Sequence, residues 1–152
     1  MQNVKCKMQN WFIRLCIVHC ALCIGACSIP NLELQSCIDS RTAVREFYSF
    51  HFGNDMTPST ENLKMREQYL TPRLFSSLSA ATKVTGDYFT TTSDFPKAFR
   101  VGECKESSPD RTVFQVLLFW KDDVRTEQRP ISVETVKVGD KWLIDAVVRL
   151  ER

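Results

Sequence analysis

The run VFQVLLFW, Val113 to Trp120, is apolar at every position except Gln115. It is the strongest strand signal in the chain. Side chains alternate across a sheet, so Val113, Leu117 and Phe119 leave by one face and Phe114, Val116, Leu118 and Trp120 by the other. A strand apolar on both sides is central and needs cover on both sides. A layer of helices supplies one cover. The other is either a segment such as residues 84–98, folded over the second face, or another molecule.

The flanking sequence supplies the rest of the sheet. AFRVGECKE precedes the central strand, with SSPD as the turn between them. RPISVETVKV follows, and Val138-Gly139-Asp140-Lys141 marks a tight hairpin into KWLIDAVVRL. In that last strand Trp142, Ile144, Ala146, Val148 and Leu150 share one parity, which is therefore expected to face the helices. Asp145 has the other parity and is expected to point away.

The first half is helical by its periodicity. Ile38 to Phe52 carries Val44, Phe47 and His51 along one stripe, with Asp39 or Ser40 as the cap and Gly53 at the end. Thr57-Pro58 and Thr71-Pro72 each read as a cap followed by proline at the first helical position. The second helix runs to about Tyr69, and the third buries Leu74, Phe75, Leu78 and Ala81. The expected fold class is α+β, with three N-terminal helices on one face of a curved antiparallel four-stranded sheet, after a cleaved signal segment.

That signal segment lies in the first 26 residues. Lys5, Lys7 and Arg14 form a basic start, and LCIVHCALCIGA, Leu15 to Ala26, forms an apolar stretch too short to span a bilayer permanently. Four of the seven cysteines fall between Cys16 and Ser28. Leu, Ile, Val and Ala fill the gaps between them, and no second cluster follows to complete a zinc site. They read as small hydrophobes of a discarded leader.

The tetrad IGAC, Ile24 to Cys27, resembles the bacterial lipobox, with Ile24 in place of the usual leucine. That resemblance implies cleavage before Cys27 and attachment of a diacylglycerol to its thiol. Ser28, rather than aspartate, resembles the outer-membrane sorting pattern of enteric bacteria. The implied product is a lipoprotein of the cell envelope, facing the periplasm. Two or three acyl chains anchor firmly. Residues 27–36 form the tether, and the nine between Cys27 and Cys37 reach at most about 30 Å. The domain then occupies residues 37–152.

Beyond Cys27 the mature chain keeps Cys37 and Cys104. They form no C-x-x-C pair, which argues against a thioredoxin-like role. In an oxidising periplasm they either bond, pinning the first helix to a strand, or stay as two buried thiols.

Removing Lys5, Lys7 and Arg14 from the 20 basic residues leaves 17 against 18 acids, a net charge of −1. No broad basic field remains for a nucleic acid partner.

The order of elements resembles the nuclear transport factor 2-like (NTF2-like) fold, in which a curved sheet wraps helices into a cone. AVREFYSFHF, YLTPRLFSSL and DYFTTTSDFP look like segments of an uncharacterised bacterial domain family of that fold, often found in lipoproteins. The resemblance covers residues 36–150. The fold hosts enzymes, ligand binders, toxin-immunity proteins and assembly factors, so it implies no single chemistry.

Enzymes of this fold place an Asp–His or Tyr–Asp set in the cone. Here His51 is the mature chain's one histidine, and Tyr48 lies three residues earlier. A small enzyme using His51 and Tyr48 is therefore the alternative to a non-catalytic binding domain. There is no G-x-S-x-G, no phosphate loop and no carboxylate cluster, so no catalytic triad, cofactor or metal is expected. The aromatics Tyr48, Tyr69, Tyr88, Phe89, Phe95, Trp120 and Trp142 either fill a core or line a pocket for an apolar ligand. Tyr48, His51, Tyr88 and Phe89 are the ligand-binding candidates, with Tyr88 and Phe89 at the rim. The expected partners are the membrane, through Cys27, and a protein or second copy on the sheet face.

Overall fold

The computed structural model describes residues 33–81, 86–121, 123 and 125–150. The leader, Cys27 and residues 27–32 of the tether lie outside them. Three helices, α1 (Gln35–Phe52), α2 (Thr60–Arg66) and α3 (Pro72–Ser79), precede four strands, with a 3₁₀ turn at Glu67–Tyr69. The strands are β1 (Ala98–Ser108), β2 (Arg111–Lys121), β3 (Thr126–Val138) and β4 (Lys141–Arg149). They pair antiparallel in the order β1-β2-β3-β4. The α+β class with helices on one side of a curved sheet is as expected.

Local capping decides where the helices start. Thr71 caps α3, its hydroxyl accepting from the Leu74 N–H at 3.2 Å, with Pro72 at the first position. In α2 the cap is Ser59 rather than Thr57, because Ser59 accepts from the Asn62 N–H. In α1 neither Asp39 nor Ser40 is a cap. The helix starts earlier, at Gln35, and Ser40 lies inside it. Its hydroxyl donates back to Ser36 O and meets Thr112 Oγ1 at 2.8 Å, and Thr112 in turn meets Thr135 Oγ1 at 2.7 Å. This buried hydroxyl chain ties α1 to β2 and β3.

The even-numbered face of β2 is the inner face. Phe114, Val116, Leu118 and Trp120 are buried against Val44, Phe47 and Tyr48 of α1 and against Ile131 and Val133 of β3. Cys37 of α1 and Cys104 of β1 are joined by a disulfide, with Cα atoms 5.9 Å apart. The bond fastens the first turn of the helix to the sheet edge.

One expectation about faces needs correction, and one alternative is narrowed. In β4 the inward parity does not run the whole strand. Glu134 pairs with Ala146 but Thr135 pairs with Ile144, so Asp145 is an extra residue at a bulge. Beyond it the parity reverses: Val147 is buried, while Val148 is 57% exposed and Leu150 37% exposed. The bulge also draws the Asp145 carboxylate into burial instead of solvent. It accepts from Thr71 Oγ1 at 2.5 Å and from Arg73 Nε at 3.2 Å.

The alternative concerns the cover of β2, for which the sequence left either residues 84–98 or another molecule. The described part of the 84–98 segment does not fold over the outer face. Phe89 packs edge-to-face with Phe47 and His51, and Asp94 O accepts from Trp120 Nε1, so the described part of the segment closes the inner side. Val113, Leu117 and Phe119 remain half-buried on the outer side.

Candidate functional site

The C-terminal turn of α1, the end of α2 and the segment after Gly86 meet around one buried ion network. Gly86 has φ +87, and a side chain there would press on Thr92 O, so glycine permits the tight bridge between Asp87 and Thr92. The turn aims the Asp87 side chain at its own backbone. Oδ1 accepts from the Phe89 N–H, and Oδ2 accepts from the Thr90 N–H and hydroxyl. The same Oδ2 lies 2.9 Å from His51 Nε2.

On the other side of the imidazole, Arg66 Nε donates to His51 Nδ1 at 2.8 Å. A guanidinium has no acceptor, so Nδ1 carries the lone pair and the ring proton sits on Nε2, facing Asp87. Arg66 also donates to the carbonyls of Asn62 and Asp55. His51, Arg66 and Asp87 are 1%, 2% and 5% exposed. Burial draws the Arg66 guanidinium below its ordinary pKa, while the charges of Asp87 and Asp55 pull the other way. A cation and an anion thus sit on opposite edges of one imidazole, and the unit as a whole is balanced.

This arrangement bears directly on acid–base chemistry. A general base needs a nitrogen within reach of a substrate proton. Both nitrogens of His51 are already bonded, one to Arg66 and one to Asp87. Tyr48 is no closer to a reactive role. Its hydroxyl donates to Phe89 O at 2.8 Å, and its ring centre is 6.4 Å from that of His51. Burial, with the charge of Asp87 adding to it, pushes the Tyr48 phenol well above its usual pKa. Asp145 is engaged elsewhere. Burial pushes its carboxyl up, but hydrogen bonds from Arg73 and Thr71 and the charges of Arg73 and Arg111 outweigh that and hold it low.

Above the network lies an open cleft of about 360 Å³. His51, Arg66, Asp87 and Phe89 form its floor, and Met56, Leu63, Leu78 and Tyr88 contribute to its walls. Of the ligand candidates, the structure brings His51, Tyr88 and Phe89 together here and leaves Tyr48 in the core behind them. Trp120 is also core, and Phe95 is 38% exposed away from the cleft lining. Tyr69 and Trp142 line a separate polar groove beside the β3–β4 hairpin.

Sequence reasoning missed Asp87 and Arg66. Asp87 had a legible signal, an aspartate just after glycine with threonine three residues on, which favours an Asx-type turn. Arg66 had none, because on a polar helix it is indistinguishable from a solvated arginine. One further grouping, Glu33 with Cys37 and Cys104, resembles a ligand set among the described residues. Its two sulfurs are spent on each other in the disulfide.

No protein-family model matches this chain, and no curated protein matches it. A solved structure does. It is described as an NTF2-like, potential transfer protein TraM from the Gram-positive conjugative plasmid pIP501. It superposes with a TM-score of 0.50 at 16% identity, over 78% of this chain and 99% of that one. At that identity the likeness concerns the fold, which is NTF2-like.

Proposed function

We propose that this chain is a non-catalytic binding domain, moored to the bacterial envelope by a lipid on Cys27, that meets a protein partner with the outer face of its sheet. The carrying observation is the outer side of the central strand, which no described helix covers and where Val113, Leu117 and Phe119 are only half-buried. Leu117 pairs with Pro130, Phe119 with Ala98, and Val148 with Ser132, so Phe119, Leu117, Pro130, Val148 and Leu150 form a diagonal apolar stripe. The described part of the segment that could have covered it, residues 86–98, closes the opposite face instead. Apolar stripes of this kind mark interaction surfaces.

The anchor rests on the basic and apolar leader, the IGAC tetrad and its resemblance to a lipobox. The Cys37–Cys104 bond supports an oxidising compartment, since such bonds persist there and are rare in the cytosol. A toxin-immunity role is a narrower version of the same reading.

The test compares wild type with a Leu117→Asp, Val148→Asp double variant in cross-linking from intact envelopes. The partner adduct, to another protein or to a second copy, is expected in wild type and absent in the variant. An adduct that survives both charges would overturn the surface assignment. Cys27→Ala is expected to release the protein from membranes, and retention after salt washing would overturn the anchor.

A further inference from the structure

The cleft over His51 carries an inference independent of the sheet-face reading. We propose that it is a binding site for a small, uncharged, mainly apolar molecule.

Its size falls within the range of small-molecule sites. Its walls combine aliphatic and thioether side chains, Met56, Leu63 and Leu78, with the edge of Tyr88. Hydroxyl side chains at Thr57, Thr60 and Ser79 stand at its exposed mouth, where one polar group of a ligand can bond or stay wet.

The charge of the ligand follows from the floor. Arg66 and Asp87 are the only ions lining the cleft among the described residues. Both are almost wholly buried, at 2% and 5% exposed, and they compensate each other across His51. The guanidinium is bonded to His51 Nδ1, Asn62 O and Asp55 O, and the carboxylate receives His51, Phe89 N and both donors of Thr90. Among the described residues a charged ligand would meet only these two mutually compensated ions, so it would lose hydration without gaining a free counter-ion, a cost that an uncharged molecule does not meet. The imidazole bridge therefore acts as a sealed, neutral base plate, and selection falls on shape and apolar contact.

The experiment uses three probes of equal chain length, 1-octanol, octanoate and octylammonium, with the purified full chain observed by methyl NMR. Octanol is expected to shift the Met56, Leu63 and Leu78 methyl signals saturably, with the two ions weaker by at least about tenfold. Leu63→Trp, which fills the cleft, is expected to abolish the octanol response while leaving the rest of the spectrum dispersed. If that variant does not fold, Ala81→Phe at the exposed rim serves the same purpose. No saturable shift with octanol, or equal affinity for the charged probes, overturns the proposal. Neither result touches Leu117 or Val148, so the sheet-face reading stands or falls separately.

Discussion

Arg66 Nε and His51 Nδ1 are 2.8 Å apart, fifteen residues apart in sequence, and both are almost wholly buried. This bond fixes the tautomer of His51 and, through it, the pairing with Asp87. Arg66→Ala removes a buried cation and leaves Asp87 without its counter-charge, together with two carbonyls that lose their donor. The expected loss is about 3–5 kcal/mol, read by urea denaturation. Arg66→Lys should recover little, because an ammonium cannot reach the imidazole and both carbonyls in the same fork. Wild-type stability in either variant would show that the network carries no weight.

The Cys37–Cys104 bond closes a loop of 67 residues. Such a loop should contribute about 4 kcal/mol by restricting the unfolded chain. A Cys104→Ser variant, or the reduced wild type, should show a lower denaturation midpoint by a corresponding amount. Non-reducing peptide mass analysis should show the two cysteines joined.

Acid should weaken the fold through Asp145. Its folded pKa is held below the ordinary 3.8, so the unfolded chain takes up the proton first on acidification. The stabilisation is present above about pH 4 and is lost as pH falls through the folded value. Asp94, held low by its hydrogen bond and ion pair with Arg125, acts in the same direction. Asp145→Asn should therefore be less stable at neutral pH and show a shallower loss as pH falls below about 4. An unchanged pH profile in that variant would count against the assignment.

Gly86→Ala should disturb the turn that presents Asp87. The added Cβ would lie 2.6 Å from Thr92 O, on a backbone with φ +87. We expect a loss of roughly 1–3 kcal/mol and altered His51 ring resonances. A variant with wild-type ring signals would mean that the turn tolerates the side chain.

Much of the architecture was legible because it depends on neighbours in sequence. The doubly apolar VFQVLLFW, the Thr71-Pro72 cap and the hairpin at Gly139 are each local signals, and each element forms where they place it. The stripe of Val44, Phe47 and His51 likewise buries itself against the sheet. Strand parity failed at Asp145, because a bulge inserts one residue without any mark in the local pattern and reverses every side chain beyond it.

Sequence by itself determined the layers: helices first, a four-stranded meander after, and a central strand greasy on both sides. Tertiary structure alone decided what His51 does and which face of the sheet the loop after Gly86 closes. The first depends on Asp87 and Arg66, 36 and 15 positions from the histidine, and the second on a loop that turns inward. Periodicity records how a segment divides its own faces between core and solvent. It holds no information on which distant ion will arrive at a buried imidazole, because that contact exists only once the chain has closed on itself.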